Sequence, residues 1–123
     1  MEEYESNKVS WNLAESLIGQ LGNLLYQSNT HYLNGSIAKA FFCLKVIRQR
    51  IIQSLKEGER EKCFELEKEF VGNNFSKVNQ KEQYLKQKNK QFALYEKYNT
   101  LIMDSLEKYG YLIKKQEDNT SIN

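Results

Sequence analysis

Residues 32–41 read YLNGSIAKAF, and the Asn34-Gly35 pair inside this stretch decides how the chain is arranged. Glycine tolerates the left-handed backbone conformation that closes a helix, and Ser36 is a residue type that can cap the next helix. The stretch therefore predicts a tight turn with a helix on each side of it.

The segment before the turn has the pattern of an amphipathic helix, with Ser10 as its expected N-cap. The interval 16–38 contains no Asp, Glu, Lys or Arg, so the outer face of this helix is polar but uncharged. Its apolar positions recur at helical spacing: Trp11, Ala14, Leu17, Ile18, Leu21, Leu24, Leu25, Ser28 and Tyr32.

The segment after the turn predicts a second helix over residues 37–56, and this helix is strongly basic. Residues 39–56 carry five positive charges and no negative charge. Phe42 and Val46 project away from the apolar stripe and lie among basic residues, which indicates contacts on two sides of the helix. The stripe itself comprises Ile37, Ala40, Phe41, Leu44, Ile47, Ile51, Ile52 and Leu55.

Two more helices are expected in the second half of the chain. Residues 59–71 predict a short acidic helix, and the GNNFS loop at 72–76 places Ser76 as the cap of a long helix over 77–109. A heptad over Leu85, Lys88, Phe92, Tyr95, Asn99, Ile102, Leu106, Tyr109 and Ile113 favours coiled-coil-like packing of that helix. A break near residues 88–90, which would divide it into two ordinary helices, is the alternative.

Composition supports one small helical domain. The chain of 123 residues has no proline, six glycines, 40% hydrophobic and 28% charged residues, and a net charge of +2. We therefore predict an all-α fold: a four-helix antiparallel bundle over residues 1–114, with a tight hairpin of helices one and two, a long fourth helix and a polar tail over 115–123. No run is long and apolar enough to span a membrane.

The YLNGSIAKAF segment resembles the turn of a tetratricopeptide hairpin. Tyr32, Gly35 and Ala40 have the spacing of that repeat's aromatic residue, turn glycine and small packing residue. The resemblance covers about one unit and has no second copy in the chain, so it implies an antiparallel hairpin and not a solenoid. It implies no function.

No residue cluster in the sequence has a catalytic or metal-binding pattern. His31 is the single histidine and has no carboxylate near it in sequence, which favours a structural role. Cys43 and Cys63 lie in apolar-periodic segments and are expected to be reduced core thiols, because the N-terminus lacks a leader pattern and indicates the cytoplasm. We expect no enzyme activity, no metal, no cofactor and no small-molecule substrate.

Two functional hypotheses remain. The first is a small scaffold, assembly or adaptor protein that acts through protein contacts, plausibly as a homo-oligomer. Such compact helical proteins are common in viruses and mobile elements, which makes that origin an expectation too. The uncharged face and the second apolar spot supply its candidate interface: Gly19, Gly22, Tyr26, Thr30, Phe42 and Val46.

The alternative is an accessory protein that binds nucleic acid through the basic faces of helices two and four. Lysine and arginine side chains on a common surface can follow a phosphate backbone. The candidate residues are Lys39, Lys45, Arg50, Lys81, Lys86, Lys88 and Lys90. The acidic third helix offers another explanation of the asymmetry, because it can neutralise helix two without any ligand.

Overall fold

The computed structural model describes residues 8–74 and 77–111, with side chains described from Gly19 onward. Over these residues the chain forms four helices: α1 (Lys8–Leu33), α2 (Ile37–Ile51), α3 (Glu57–Asn74) and α4 (Lys81–Lys108), with a short 3-10 turn, Ile52–Ser54, between α2 and α3. No strand occurs within the two described ranges. The predicted all-α bundle is confirmed, whereas the polar tail predicted for 115–123 lies outside the described residues.

The central helix of the bundle is α2. It packs against α1 on one side and against α4 on another, and α3 packs mainly along α4. The α3–α4 pair is antiparallel, since Glu59 near the start of α3 forms an ion pair with Lys108 at the end of α4. The shared core consists of Leu21, Ile37, Ala40, Phe41, Leu44, Ile47, Ile51, Leu55, Cys63, Phe70, Leu94, Tyr95, Tyr98, Ile102 and Leu106. Each fully buried large aliphatic side chain in such a core contributes about 1.5–3 kcal/mol.

The predicted turn between α1 and α2 is a Schellman motif. The Ser36 N–H donates to the His31 carbonyl at 2.8 Å, and the Gly35 N–H donates to the Tyr32 carbonyl at 3.0 Å. Gly35 has a φ of 82°, in the left-handed region that favours glycine. Ser36 occupies the N-cap position of α2, but its side chain makes no capping hydrogen bond. Its backbone N–H instead closes the preceding helix.

The boundaries of α1, α2 and α3 differ from the predicted ones. Helix α1 begins at Lys8, so Ser10 lies inside it and is not its N-cap. Helix α2 ends at Ile51, and the apolar stripe continues through the 3-10 turn to Leu55, which is extended yet buried. Helix α3 starts before the predicted residue 59, because the Glu59 carboxylate accepts the Lys56 N–H at 2.7 Å and caps an earlier first turn.

Helix α4 is continuous through residues 88–90, so the predicted alternative of a break there is wrong. It begins at Lys81, since residues 77–80 are not helical, and residues 81–86 are all exposed. Its buried side is also rotated from the predicted heptad: the buried residues are Gln91, Leu94, Tyr95, Tyr98, Ile102, Ser105 and Leu106. Polar side chains can occupy this buried side because each finds a hydrogen-bond partner, such as the Leu101 carbonyl for the Ser105 hydroxyl.

Candidate functional site

The α1–α2 hairpin is fixed to α4 by a buried hydroxyl and a stack of aromatic rings. The Ser28 hydroxyl, 1% exposed, donates to the Ala40 carbonyl at 2.9 Å and lies 2.9 Å from the Tyr95 hydroxyl. Tyr32 stacks on Tyr95 with ring centroids 4.7 Å apart and donates to the Glu96 carboxylate at 2.9 Å. One side of the hairpin is therefore occupied by α4, which leaves its other side accessible.

That accessible side carries an apolar groove between α1 and α2, with a volume of about 420 Å³. Phe42 is 62% exposed beside it, although phenylalanine in a folded chain is usually buried. We call this the hairpin groove; it is lined by Leu24, Gln27, His31, Ala38, Lys39, Phe42, Cys43 and Val46.

The charged residue that lines the hairpin groove is Lys39, and no carboxylate lines the groove among the residues that the structure describes. Lys45 and Arg50 follow Lys39 on the same helix. Arg50 donates to the side-chain carbonyl of Gln20 on α1, so its partner there is a neutral amide. Residues 16–33 of α1 carry no Asp, Glu, Lys or Arg, so this part of α1 offers no opposite charge to α2 along the groove.

The predicted interface residues fall on two different sides of the hairpin. Phe42 and Val46 line the groove, whereas Gly19, Gly22 and Tyr26 are exposed on the outer face of α1. Tyr26 is 71% exposed and lies about 160° around the helix from the groove residue Leu24.

Thr30 is half-buried rather than fully exposed. A Cβ added at Gly19 or Gly22 meets no atom within 4 Å, so neither glycine serves a close approach within this chain. The predicted residues therefore do not form one continuous surface.

The predicted basic residues are likewise divided. Lys86 and Lys90 line a cleft of about 310 Å³ on the α3 side of α4, where the Lys90 ammonium lies 3.4 Å from the Glu69 carboxylate. Lys81 is exposed near the start of α4, and Lys45 and Arg50 belong to the hairpin.

Lys39 and Lys88, in contrast, line one cleft of about 370 Å³ between the start of α2 and the first turns of α4. Tyr84 also lines it, 48% exposed, with the Lys88 ammonium 6.0 Å from its ring centroid. Asn74 and Gln91 contribute amide groups to the same cleft, and its described lining contains no carboxylate. We call it the Tyr84 cleft.

A buried ionic cluster joins α2, α3 and α4 in the core. The Arg48 guanidinium donates two hydrogen bonds to the Glu67 carboxylate, each at 2.7 Å, and the Tyr98 hydroxyl donates to the same carboxylate. The Phe64 ring lies 4.9 Å from the guanidinium carbon. The position of Arg48 near the apolar stripe and the acidity of α3 were readable in the sequence, but the Glu67–Tyr98 pairing was not.

The chain has two cysteines and one histidine, residue types that often perform catalysis. Both thiols are buried, and burial raises the pKa of Cys43 and, with the nearby Glu67 carboxylate, that of Cys63 to about 11. Thiols with raised pKa values are poor nucleophiles at neutral pH. His31 is half-buried in the wall of the hairpin groove. Within the described ranges, no group of three or more His, Cys, Asp or Glu residues is arranged to hold a metal ion.

The fold, the hairpin groove and the Tyr84 cleft define a helical-bundle protein with a basic, partly apolar hairpin. No known family, no curated protein and no solved structure matches the chain. Among the described helices, none combines the length and the hydrophobicity needed to cross a membrane.

Proposed function

We propose that the protein is a non-enzymatic adaptor that binds an acidic amphipathic helix of another protein in the hairpin groove. The observation that supports this proposal is the exposed Phe42 ring beside a groove that is mostly apolar and is lined by the positively charged Lys39, with Lys45 and Arg50 farther along the same helix. An amphipathic helix docks its apolar face into a groove of this kind and meets the surrounding charges with its polar side.

Charge favours a different protein over a second copy in the same groove. A symmetric dimer through this surface would place Lys39, Lys45 and Arg50 of one chain against the same residues of the other. Like charges brought together at an interface oppose association, whereas glutamates and aspartates on a partner helix meet them favourably. The homo-oligomeric state and the cytoplasmic location expected from the sequence remain predictions.

The exposed part of Phe42 is large enough to anchor a partner. A phenylalanine buries about 200 Å² when fully covered, so covering the exposed 62% removes about 120 Å² from water. At about 25 cal/mol per Å² this contributes up to about 3 kcal/mol, or about 100-fold in affinity. Loss of the ring is therefore measurable even if only half of this contribution is realised.

Two labelled model peptides of about 15 residues test the proposal. Both carry leucine at the i, i+3, i+4 and i+7 positions of a helix, and the remaining positions are mostly glutamate in one peptide and mostly lysine in the other. Fluorescence anisotropy is expected to show binding of the glutamate peptide only. Phe42→Ser is expected to weaken that binding at least about 10-fold.

Leu33→Ser is the matched control, since Leu33 is 74% exposed and faces away from the groove. The control is expected to bind the glutamate peptide as the parent protein does. Equal binding of both peptides, or equal loss in the two variants, would contradict the proposal. If light scattering shows that the parent protein is a dimer and that Phe42→Ser dissociates it, the occupant of the groove is a second copy of this chain and not a helix of another protein.

A further inference from the structure

We propose that a single-stranded nucleic acid binds along the Tyr84 cleft, with its phosphates on Lys39, Lys81 and Lys88 and one base stacked on the Tyr84 ring. This is a second binding site next to the hairpin groove, with which it shares Ala38 and Lys39, and it does not depend on the adaptor function. It selects three of the lysines and arginines considered from the sequence and adds an aromatic residue that was absent from that set.

Positive charge from two helices converges at the cleft. Lys39 on α2 and Lys88 on α4 are far apart in sequence, yet both line the cleft, and no carboxylate of the described part of the chain lines it with them. Lys81 is exposed on α4, and helical spacing places it on the same side of α4 as Tyr84 and Lys88. Three ammonium groups along one path are an electrostatic site for a phosphodiester backbone.

An exposed aromatic ring lies between those lysines. Tyr84 is 48% exposed, and its only described ring contact to a charged group is the Lys88 ammonium at 6.0 Å. Proteins that bind single strands combine a basic path with aromatic rings on which bases stack. A duplex keeps its bases stacked internally and offers no free base face to such a ring, so the ring favours a single strand.

The other two α4 lysines that the sequence proposed for nucleic-acid binding do not extend this site. Lys86 and Lys90 line the other cleft of α4, and Lys90 already forms an ion pair with Glu69. The footprint is therefore about three phosphates. For a single strand this predicts that the logarithm of the binding constant falls by about 2 for each tenfold rise in salt concentration.

The test is fluorescence anisotropy with a labelled oligothymidine of about 15 nucleotides, titrated between about 50 and 200 mM salt. The parent protein is expected to bind with the slope given above. Lys39→Gln with Lys88→Gln is expected to reduce the slope to about 0.7 and to weaken binding at least about 10-fold at the lower salt concentration. Tyr84→Ser is expected to weaken binding about 10-fold while leaving the slope unchanged.

The matched control is Lys62→Gln with Lys68→Gln, which removes the same charge from exposed positions on α3. It is expected to retain most of the affinity. Three results would each overturn the proposal. The first is no binding at the lowest salt concentration, and the second is an equal loss of affinity in the control pair. The third is duplex binding as tight as single-strand binding, with no effect of Tyr84→Ser. Phe42 lines only the hairpin groove and Tyr84 lines only the Tyr84 cleft, so Phe42→Ser is expected to keep its oligonucleotide affinity and the comparison of these two variants distinguishes the sites.

Discussion

Removal of the Glu67 carboxylate is expected to destabilise the bundle severely. Glu67 accepts two hydrogen bonds from Arg48 and one from Tyr98, and these donors are 8% and 0% exposed. Glu67→Leu leaves a buried guanidinium without its partner, at a cost of about 3–5 kcal/mol. It also leaves a buried hydroxyl unpaired, at a cost of about 1–3 kcal/mol. The sum, about 4–8 kcal/mol, approaches the whole stability of a small domain, about 5–15 kcal/mol.

Companion variants keep this prediction testable if Glu67→Leu fails to fold. Tyr98→Phe removes one hydroxyl and leaves the Arg48 pair intact, so we expect a loss of about 1 kcal/mol. The triple variant Arg48→Met, Glu67→Leu and Tyr98→Phe leaves no polar group of the cluster buried, so we expect it to lie within about 2 kcal/mol of the parent protein. Glu65→Leu, on the exposed side of α3, is the control and is expected to change stability by less than about 0.5 kcal/mol.

Urea denaturation, followed by the circular dichroism of the helices, measures the free energy of unfolding of the parent protein and of the four variants. The expected order is the control near the parent protein, then Tyr98→Phe and the triple variant, then Glu67→Leu far below. A loss of less than about 1 kcal/mol in Glu67→Leu would refute the reasoning. A triple variant as unstable as Glu67→Leu would refute it too, since the deficit would then come from lost packing rather than from unpaired polar groups.

Two further predictions concern titratable groups. Hydrogen bonds from Lys108, Tyr109 and the Lys56 N–H lower the pKa of Glu59 from 4.5 to about 2 in the folded protein. Its carboxylate therefore stabilises the fold fully above pH 4.5 and loses this effect as the pH falls towards 2. Near neutral pH, Glu59→Gln is expected to be less stable than the parent protein by about 0.5 kcal/mol in urea denaturation. This difference in stability is expected to vanish as the pH falls from 4.5 to 2. A difference that persists at the acidic end would be inconsistent with this. Cys43 and Cys63 are expected to react with a thiol reagent at least about 10-fold more slowly in the native protein than in urea, and rapid labelling of the native protein would show that they are accessible.

The α1–α2 hairpin was predictable because its signals are local. An Asn-Gly pair ends one helix, and the apolar periodicity on each side identifies the two faces that pack together. The structure places Leu21, Ala40, Leu44 and Ile47 in the core as that periodicity indicated. The exposure of Phe42 also follows from its position outside the apolar stripe.

The parts that sequence reasoning missed depend on contacts between distant segments. The buried side of α4 includes Gln91 and Ser105, which an apolar pattern does not count, and their burial depends on partners such as Asn74 on α3. The end of α2 at Ile51 is accompanied by a contact from a distant residue, since the Arg60 guanidinium donates to the Ile52 carbonyl in the following turn at 3.1 Å. Tyr84 was not among the candidate residues chosen from the sequence, because its cleft with Lys39 exists only once α2 and α4 are packed.

The most direct test of the account is to locate the peptide on the protein by nuclear magnetic resonance. Amide chemical shifts of the parent protein are recorded while the glutamate model peptide is added. We predict that the largest changes cluster along the hairpin groove, at Leu24, Gln27, Phe42 and Val46. Changes centred on the outer face of α1 around Tyr26, or spread evenly over the basic surface, would contradict it.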